Sequence, residues 1–468
     1  MEVYPKLHTF KVKDKQFLLD TNSGIFYEIN EIVYSIVNMI NEVSNDEIID
    51  KLSSRYSKQE VIRNLAVINK LIEADELFSK DRYKDFKMDT LSPVSTLCLN
   101  ISHDCNLRCT YCFGEKYDQE KKLMSPEVAE RSVDFLIKNS KDQTNLSLSF
   151  FGGEPLLNFK EIEHTVFYAQ AEGNKHGKEF RFHVTTNGTL LNSRIIEFLV
   201  KNKFSLIISL DGPKEVNDIM RPFANGKGSY GIVCRNIKAV QAMGDALPFT
   251  VRSTFTRKHL EVDNLVMHLA GLGIKDISVE PCATTLEDLQ IREEDLSELN
   301  QQYDLLADKY LEEILAGRYF SFFHLKQMMD QVHSKASKLV QCGAGQGYMA
   351  VGADGRLYPC HRLVGQDEYV IGDVFNGISN QNIQKTFLGA HVRNKEKCMQ
   401  CWARYICGGG CHAYALMFNK DILQPYEVEC ELMKHRIELG VYLYASLKHK
   451  SPLIFQNIYS EGWKFCQV

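Results

Sequence analysis

From residue 95 to about residue 280, the sequence alternates short apolar runs with segments of helical periodicity such as SPEVAERSVDFLIKN. Six of the apolar runs are predicted to be strands, near residues 95–102, 146–151, 180–185, 204–210, 248–254 and 276–280. Strands that alternate with helices form a parallel sheet, because each helix returns the chain to the same end of the sheet. Six such units predict an α/β fold, a partial (β/α)6 TIM barrel short of the eight units of a closed one. Chemistry in such barrels lies on the loops that follow the carboxyl ends of the strands.

Residues 1–85 follow a different pattern. The runs LHTFKV, QFLLD and IFYEI are separated by KDK and TNSG, which is typical of hairpin strands and turns. Three segments of helical periodicity come next, and two of them open on Ser or Asn caps. We therefore predict a small winged-helix-like domain, with a charged linker over residues 79–93 between it and the barrel.

Length and charge narrow the classes of protein. A chain of 468 residues is long enough for two or three domains. A formal net charge of −5 argues against nucleic-acid binding, which usually brings a basic bias. The N-terminus MEVYPKLHTFKVKDK lacks the apolar core of a signal peptide, and no run approaches the roughly 20 apolar residues of a membrane-spanning helix. We expect a cytoplasmic protein whose partners are peptides or small molecules, with no nucleic acid and no membrane.

Ten of the fourteen cysteines are clustered, at residues 105–112 and 342–430. Disulfides are rare in a reducing compartment, so clustered cysteines are predicted to be metal ligands or catalytic thiols. Cys105, Cys109 and Cys112 are spaced C-x3-C-x2-C directly after the first barrel strand. A zinc site would need a fourth ligand and a thioredoxin-like site only C-x2-C, whereas three thiolates can hold a four-iron four-sulfur cluster with one iron open. The isolated cysteines are predicted to be core or surface residues: Cys98, Cys234, Cys282 and Cys466.

This spacing, with the aromatic Tyr111 before the last cysteine, resembles the signature of radical S-adenosylmethionine (radical SAM) enzymes. The resemblance implies that SAM binds the open iron and that Gly152, Gly153 and Glu154 of SFFGGEPLL hold its amino group. The segments HVTTNGTLL and IISLDGPKEVNDIMRPF also resemble parts of the family. By that likeness, the residues near the ribose or the methionine carboxylate would be Thr186, Asn187, Ser209 and Arg221. From the residues alone, TNG is a common turn and Arg221 is equally well a surface charge.

The C-terminal third holds a second constellation, in which Cys342 and GADGRLYPC precede CMQCWARYICGGGC and Cys430. It resembles the SPASM domain, which carries auxiliary iron-sulfur clusters behind radical SAM barrels. The resemblance implies three four-iron four-sulfur clusters in the whole chain. One auxiliary cluster would have four ligands, Cys398, Cys401, Cys407 and Cys430, and the other only three, Cys342, Cys360 and Cys411.

The missing ligand bears on the reaction. Sulfatase-maturing members of the family have a further cysteine between the positions of Cys342 and Cys360, and an Asp after the second position. This chain has GAGQGYMAVGADGRLYP and His361 there. His361 is a candidate base or fourth ligand, although histidines are more often ordinary surface or core residues. An open iron can instead take a substrate thiolate, which iron coordination deprotonates.

Residues 1–85 resemble the precursor-recognition domain of peptide-modifying enzymes, in which a leader peptide adds a strand to a sheet edge. The candidate surface is GIFYEI (24–29) with residues 59–72, and the alternative is a stabilising cap. The whole chain resembles thioether-forming peptide maturases of the sactipeptide and ranthipeptide type, including those acting on six-cysteine precursor peptides. Its implied partners are a cysteine-containing precursor peptide with a leader and an electron donor of the flavodoxin or ferredoxin type.

The implied reaction starts when one electron enters the first cluster and SAM is cleaved to a 5′-deoxyadenosyl radical. That radical removes hydrogen from a substrate carbon, which then bonds to a cysteine sulfur held on the open auxiliary cluster. Two alternatives remain open. The same parts could serve carbon-carbon crosslinking, epimerisation or sulfatase-type oxidation, or the C-terminal cysteines could bind zinc in a peptide-binding protein.

The predicted organisation has five parts. A long helical stretch over residues 293–334 is predicted to lead from the barrel into the Gly- and Cys-rich remainder. The parts are a recognition domain (1–85), a radical SAM barrel (94–310), a helical bridge (311–341), a SPASM domain (342–432) and a C-terminal helix and tail (433–468).

Overall fold

The computed structural model describes residues 6–40, 42–116 and 122–460, so Cys466 and the predicted tail beyond residue 460 lie outside the described residues. The strands are β1 (Leu7–Val12), β2 (Lys15–Asp20), β3 (Phe26–Ile29), β4 (Thr96–Ser102), β5 (Asn145–Gly152), β6 (Glu179–Thr186), β7 (Ser205–Ser209), β8 (Phe249–Phe255), β9 (Asp276–Pro281), β10 (Ser321–Phe322), β11 (Tyr348–Val351), β12 (Arg356–Tyr358), β13 (Gly372–Asp373) and β14 (Gly377–Ile378).

The helices are α1 (Glu31–Val37), α2 (Asn45–Leu52), α3 (Lys58–Glu73), α4 (Pro126–Asn139), α5 (Phe159–His176), α6 (Ser193–Lys201), α7 (Lys214–Met220), α8 (Tyr230–Gln241), α9 (Val262–Gly271), α10 (Leu296–Leu315), α11 (Phe323–Ser334), α12 (Gln381–Gly389), α13 (Glu396–Met399), α14 (Arg404–Cys407), α15 (His412–Tyr414), α16 (Glu427–Lys450) and α17 (Pro452–Ser460). Among the residues described, none of these helices is long and apolar enough to cross a membrane.

The N-terminal unit has the three strands and three helices that the sequence predicts. Its strands form an antiparallel sheet in the order β1-β2-β3. Helices α2 and α3 begin at capping boxes, in which Ser44 and Ser57 accept from the backbone N–H groups of Glu47 and Glu60. The unit has its own hydrophobic core, which includes Leu18, Ile36, Ile48, Val61, Leu65 and Ile68. It therefore has the layered construction of a separate small domain.

The six predicted barrel strands are confirmed. Strands β4 to β9 are parallel and lie side by side in chain order. Side chains alternate between the two faces of a strand; in β7, Leu206 and Ile208 are buried while Ser205 and Ser209 are only half-buried. The carboxyl ends of all six strands meet at one edge, and the loops that carry the sequence motifs follow those ends.

The sheet extends beyond the barrel strands, which the sequence analysis did not predict. Strand β11 pairs parallel with β4, so that Tyr348 lies opposite Thr96, and strands β12 to β14 add antiparallel at the outer edge. One sheet of eleven strands therefore spans the predicted barrel and the predicted C-terminal domain. This pairing fixes the segment between Cys342 and Cys360 beside the strand that leads to Cys105.

The predicted helical stretch over residues 293–334 is wrong in one respect, because it contains two helices. Helix α10 is followed by Gly317 at φ 74°, a left-handed conformation that favours glycine. The short strand β10 then joins the sheet beside β9 before α11 begins. Helix α16 packs against both α10 and α11. The predicted domain boundary at residue 310 therefore lies inside α10, within one continuous hydrophobic core.

Candidate active site

Cys105, Cys109 and Cys112 lie in the loop after β4, called here the three-cysteine loop (105–112). Burial is the largest cause that raises the pKa of Cys109 to about 12 and that raises the pKa of Cys105, and other thiols of the set contribute to both shifts. Cys112 is exposed. A thiol binds metal as the thiolate, so these sulfurs release their protons when a metal supplies the compensating charge. Three neighbouring sulfur donors, one of them exposed, fit an iron-sulfur cluster with an open iron.

Two backbone hydrogen bonds hold the three-cysteine loop from one side. The N–H of Arg108 donates to the carbonyl of Pro222 at 2.8 Å, and the N–H of Thr110 donates to the carbonyl of Met220 at 3.0 Å. Between these two carbonyls in the chain lies Arg221. The three-cysteine loop therefore lies along the end of α7 and the residues that follow it.

Tyr111 anchors the same loop through its hydroxyl group. The hydroxyl donates to Oδ2 of Asp211 at 2.5 Å and accepts from Nη1 of Arg221 at 2.6 Å. The other oxygen of Asp211 accepts from the N–H of Thr254 at 2.9 Å. Arg221 is 8% exposed, so the interpretation of it as a surface charge is wrong. The Tyr111 hydroxyl thus joins Arg221 to Asp211, a residue that the sequence analysis missed.

The glycines of the GGE motif are required by close packing against backbone. Gly152 has φ 126°, and a Cβ atom there would collide with the carbonyl oxygen of Ser102. A Cβ at Gly153 would collide with the carbonyl oxygen of Asp104. The N–H groups of Gly153 and Glu154 donate to these two oxygens at 2.7 and 2.8 Å. The family resemblance assigned the glycines to SAM binding. In the structure, their lack of a side chain lets the backbone that enters the three-cysteine loop pack against them.

Glu154 is fully buried and binds donors from the next strand end. Its Oε1 accepts from the Thr186 hydroxyl at 2.7 Å and the Leu156 N–H at 3.0 Å, and its Oε2 accepts from the Asn187 N–H at 2.7 Å. Burial raises the pKa of Glu154, and these donors oppose the rise. The Asn187 amide in turn lies 3.7 Å from Sγ of Cys105. The predicted residues of β5 and β6 therefore meet beside the three-cysteine loop.

Ser209 ends β7 beside Arg252 of β8. The sequence analysis missed Arg252 and also Glu280, near the end of β9. Burial would raise the pKa of Glu280, but the contact with His324 and the charge of Arg252 hold that pKa well below its ordinary value, while burial lowers the pKa of His324 itself. Its carboxylate accepts from the Ser278 hydroxyl at 2.8 Å and lies 3.1 Å from Nε2 of His324. The sequence does contain an indication of both residues, because Arg252 and Glu280 are charged side chains within strands whose other residues are mostly uncharged.

The four-cysteine set consists of Cys398, Cys401, Cys407 and Cys430, which together line one cavity. Burial raises the pKa of Cys398 to about 12 and the pKa of Cys407 to about 11. The fully buried Lys395 acts against this rise at Cys398. Four sulfur donors around one cavity, with a cation beside them, fit a four-iron four-sulfur cluster with four protein ligands.

The three-cysteine set of the C-terminal domain consists of Cys342, Cys360 and Cys411. Burial raises the pKa of Cys360 to about 12, and the thiolates of Cys411 and Cys342 add to the rise. The N–H of Cys411 donates to Oε2 of Glu429 at 3.0 Å. Glu429 directly precedes Cys430, so this half-buried carboxylate links the two C-terminal sets. The sequence analysis did not identify it.

His361 lies between the barrel and the C-terminal domain. Its Nδ1 is 2.7 Å from the Tyr348 hydroxyl and 3.8 Å from Sγ of Cys360, and its ring packs on Phe151 and Phe113 at 4.9 and 6.4 Å between centroids. Burial, with two nearby arginines, lowers the pKa of His361 to about 3. The imidazole is therefore neutral at neutral pH and a weak proton acceptor, which disfavours the predicted role as a base.

Two known domain families match the chain. The radical SAM superfamily matches residues 99–256, a span that includes the three-cysteine loop, the GGE motif and Arg221. The SPASM iron-sulfur cluster-binding domain matches residues 342–402, which include Cys342, Cys360, Cys398 and Cys401.

Several relatives are named by their activity, among them two whose likeness covers more than two thirds of this chain. A cysteine-type anaerobic sulfatase-maturating enzyme of Clostridium novyi (strain NT) is 27% identical over 335 residues, which are 69% of this chain and 88% of the relative. The radical SAM cyclopropyl synthase TigE of Paramaledivibacter caminithermalis is 22% identical over 463 residues, which are 92% of this chain and 93% of TigE.

Solved structures share the fold. Native anSMEcpe with bound AdoMet and Cp18Cys peptide has a TM-score of 0.64 at 23% identity, over 76% of this chain and all of that one. Streptococcus suis SuiB bound to precursor peptide SuiA has a TM-score of 0.52 at 16% identity, over 90% of this chain and 98% of SuiB. The second likeness extends over nearly the whole chain.

Proposed function

The chain carries a radical SAM domain followed by a SPASM domain and is a radical SAM enzyme, and we propose that it modifies a ribosomally made precursor peptide. The zinc-binding alternative is set aside by the enzyme assignment. One observation carries the proposal: β4 leads into the three-cysteine loop, and its neighbour β11 lies between Cys342 and Cys360. A single sheet thus carries both predicted sets of sulfur ligands, and the His361 ring packs on Phe151 and lies 3.8 Å from Sγ of Cys360.

The protein's own residues supply three cluster sites in this proposal. Cys105, Cys109 and Cys112 would hold the cluster at which SAM binds, and that pair would supply the radical chemistry that removes hydrogen from a substrate carbon. The two C-terminal cysteine sets would hold the auxiliary clusters, giving about twelve irons per chain. Arg221 and Tyr111 hold the three-cysteine loop in place, and Glu154 orients Asn187 toward Cys105. An electron donor of the flavodoxin or ferredoxin type completes the proposal.

A peptide substrate is supported by the relatives and by the N-terminal domain. The anSMEcpe and SuiB structures both contain peptides. In the described part of this chain, β3 pairs only with β2, which leaves one edge of the small sheet open. Helix α3 exposes Ile62 and Val67, at 45% and 52%. An open strand edge and a partly apolar helix surface in one small domain suit a leader peptide that adds as a strand.

The class of reaction follows the relatives that are named by activity. They include sulfatase-maturating enzymes and a cyclopropyl synthase, and neither name denotes thioether formation. We therefore place the alternative class of the sequence analysis first: a side-chain oxidation or carbon-carbon bond formation in the peptide.

Thioether formation is the second candidate, and one observation favours it. Cys342, Cys360 and Cys411 are a set of three, and residues 343–359 contain no cysteine. Iron prefers thiolate ligands, so a substrate cysteine suits the vacant coordination position on a cluster held by this set.

A precursor peptide with Cys replaced by Ser separates the two candidates. The peptide with cysteine should be modified in either case, and the Ser peptide should be modified only if the reaction is an oxidation or carbon-carbon crosslink. Electron paramagnetic resonance gives an independent readout, since thiolate binding to an auxiliary cluster should change its spectrum with the Cys peptide alone. Peptides that are never modified, with and without cysteine, would refute both candidates.

A further inference from the structure

The N-terminal domain contacts the segment WARYI (402–406), which joins Cys401 to Cys407 in the four-cysteine set. The Trp402 ring stacks on the ring of His8, with centroids 3.8 Å apart and planes 6° from parallel. His8 in turn lies 2.8 Å from Oε1 of Glu438 on α16. Strand β1 is therefore packed directly on the segment between two of the sulfur ligands.

Arg404 makes the most buried of these contacts. It is 1% exposed, and its Nη2 donates to Oδ1 of Asn22 at 2.6 Å while Nη1 donates to the carbonyl of Cys401 at 3.2 Å. Asn22 lies in the turn between β2 and β3 and is itself held, because its N–H donates to Asp20 and its amide donates to the Ser79 carbonyl. One guanidinium group thus joins the N-terminal domain to the backbone of a predicted cluster ligand.

Tyr405 makes the third contact, with the linker. Its hydroxyl donates to Oδ1 of Asp81 at 2.7 Å, and Nη1 of Arg393 donates to Oδ2 of the same carboxylate at 2.8 Å. The ring of Tyr83 packs on Tyr405 at 5.2 Å between centroids. Residues on both sides of Cys398 and Cys401 therefore converge on one buried carboxylate of the linker.

We propose that the N-terminal domain is a structural part of the four-cysteine site and that Asn22 is a positioning residue for it. Asn22 fixes Arg404, and Arg404 fixes the backbone at Cys401, so the turn after β2 sets the path of the segment from Cys401 to Cys407. A buried guanidinium that loses an acceptor must reorganise or admit water, and here that change acts on a ligand-bearing segment. The inference rests on the proposed cluster at this set.

The test uses three variants of the full chain, reconstituted with iron and sulfide. Asn22→Ala removes the acceptor for Arg404, and Asn22→Asp restores an acceptor oxygen. The matched control is Asn30→Ala, which removes the N-cap of α1 in the same domain, where the side chain accepts from the Val33 N–H at 3.0 Å. The readouts are the rate of iron release to a ferrous chelator and the electron paramagnetic resonance spectrum after reduction.

We expect Asn22→Ala to release roughly four irons about tenfold faster than the native protein. The loss of a hydrogen bond to a buried charge shifts the equilibrium between the closed and the opened segment from Cys401 to Cys407 by about that factor or more. Its auxiliary-cluster spectrum should change, while Asn30→Ala should resemble the native protein. Asn22→Asp keeps the acceptor for Arg404 but loses the donor to the Ser79 carbonyl, so its iron release should be slower than that of Asn22→Ala. Equal release from Asn22→Ala and Asn30→Ala would overturn the inference and leave the proposed function standing. A fourth variant, Cys398→Ala, tests the cluster assignment itself. The assignment would be wrong if this variant changed neither the iron content nor the spectrum.

Discussion

Replacement of Tyr111 by Phe removes one oxygen atom from the anchor of the three-cysteine loop. That oxygen donates to the Asp211 carboxylate at 2.5 Å and accepts from the Arg221 guanidinium at 2.6 Å. A hydrogen bond to a charged group contributes about 1.5–3 kcal/mol. In the variant, Asp211 keeps its bond from the Thr254 N–H and can pair directly with Arg221, so we expect the net loss of one such bond. A loss of about 1.5–3 kcal/mol corresponds to a roughly ten- to hundredfold rise in the population of molecules with an open loop.

Amide hydrogen exchange of the metal-free protein measures that population directly. We expect the amides of residues 105–112 to exchange at least about tenfold faster in Tyr111→Phe, with the barrel strands unchanged. Tyr168→Phe is the matched control, because its hydroxyl donates to Asp134 at 3.0 Å on the outer helices α4 and α5. Loop exchange in Tyr111→Phe equal to that in Tyr168→Phe would show that the backbone bonds to residues 220–222 alone hold the loop.

Replacement of all three cysteines of the three-cysteine loop by Ala should abolish 5′-deoxyadenosine production and leave iron in the C-terminal domain; continued production would defeat that assignment. Deletion of residues 1–85 should leave SAM cleavage but stop modification of the precursor, and because it also removes Asn22 and Asp81 it should speed iron release from the four-cysteine set; modification at the original rate would contradict both roles of the domain. Glu280 has a folded-state pKa below its ordinary 4.5, so its contribution to stability is present above that pH and lost as the pH falls through the folded value. In urea unfolding, Glu280→Gln should therefore weaken the fall in stability between neutral and acidic pH, and an unchanged pH profile would contradict the role of His324 and Arg252.

The elements with a regular pattern could be predicted from the sequence. The barrel strands are runs of alternating or continuous apolar residues, and each is followed by a helix with an apolar face. Ser44 and Ser57 cap α2 and α3 because their hydroxyl groups satisfy free N–H groups, a local effect that four residues of sequence reveal. The spacing of Cys105, Cys109 and Cys112 likewise predicted the three-cysteine loop from local sequence.

The remaining features depend on contacts between distant parts of the chain. Strands β11 to β14 are two to four residues long, which is too short for a period to appear, and their place beside β4 is a tertiary property. Tyr111 is 100 residues from Asp211 and 110 from Arg221, so nothing local indicates that they bind each other. The contact of Asn22 with Arg404 spans 382 residues. The GGE glycines were found by sequence, but their close approach to Ser102 and Asp104 became visible only with the fold.

The measurement that tests the central claim most directly is mass spectrometry of a precursor peptide after anaerobic incubation with the reconstituted enzyme, SAM and a reductant. The peptide would be a short one encoded beside this protein, with its leader intact. Side-chain oxidation, a carbon-carbon crosslink and a thioether each remove two hydrogen atoms from the peptide. The account predicts that loss, with 5′-deoxyadenosine formed alongside and both products absent when the three-cysteine loop carries Ala. SAM cleavage that proceeds equally with and without the peptide, and a peptide of unchanged mass, would contradict it.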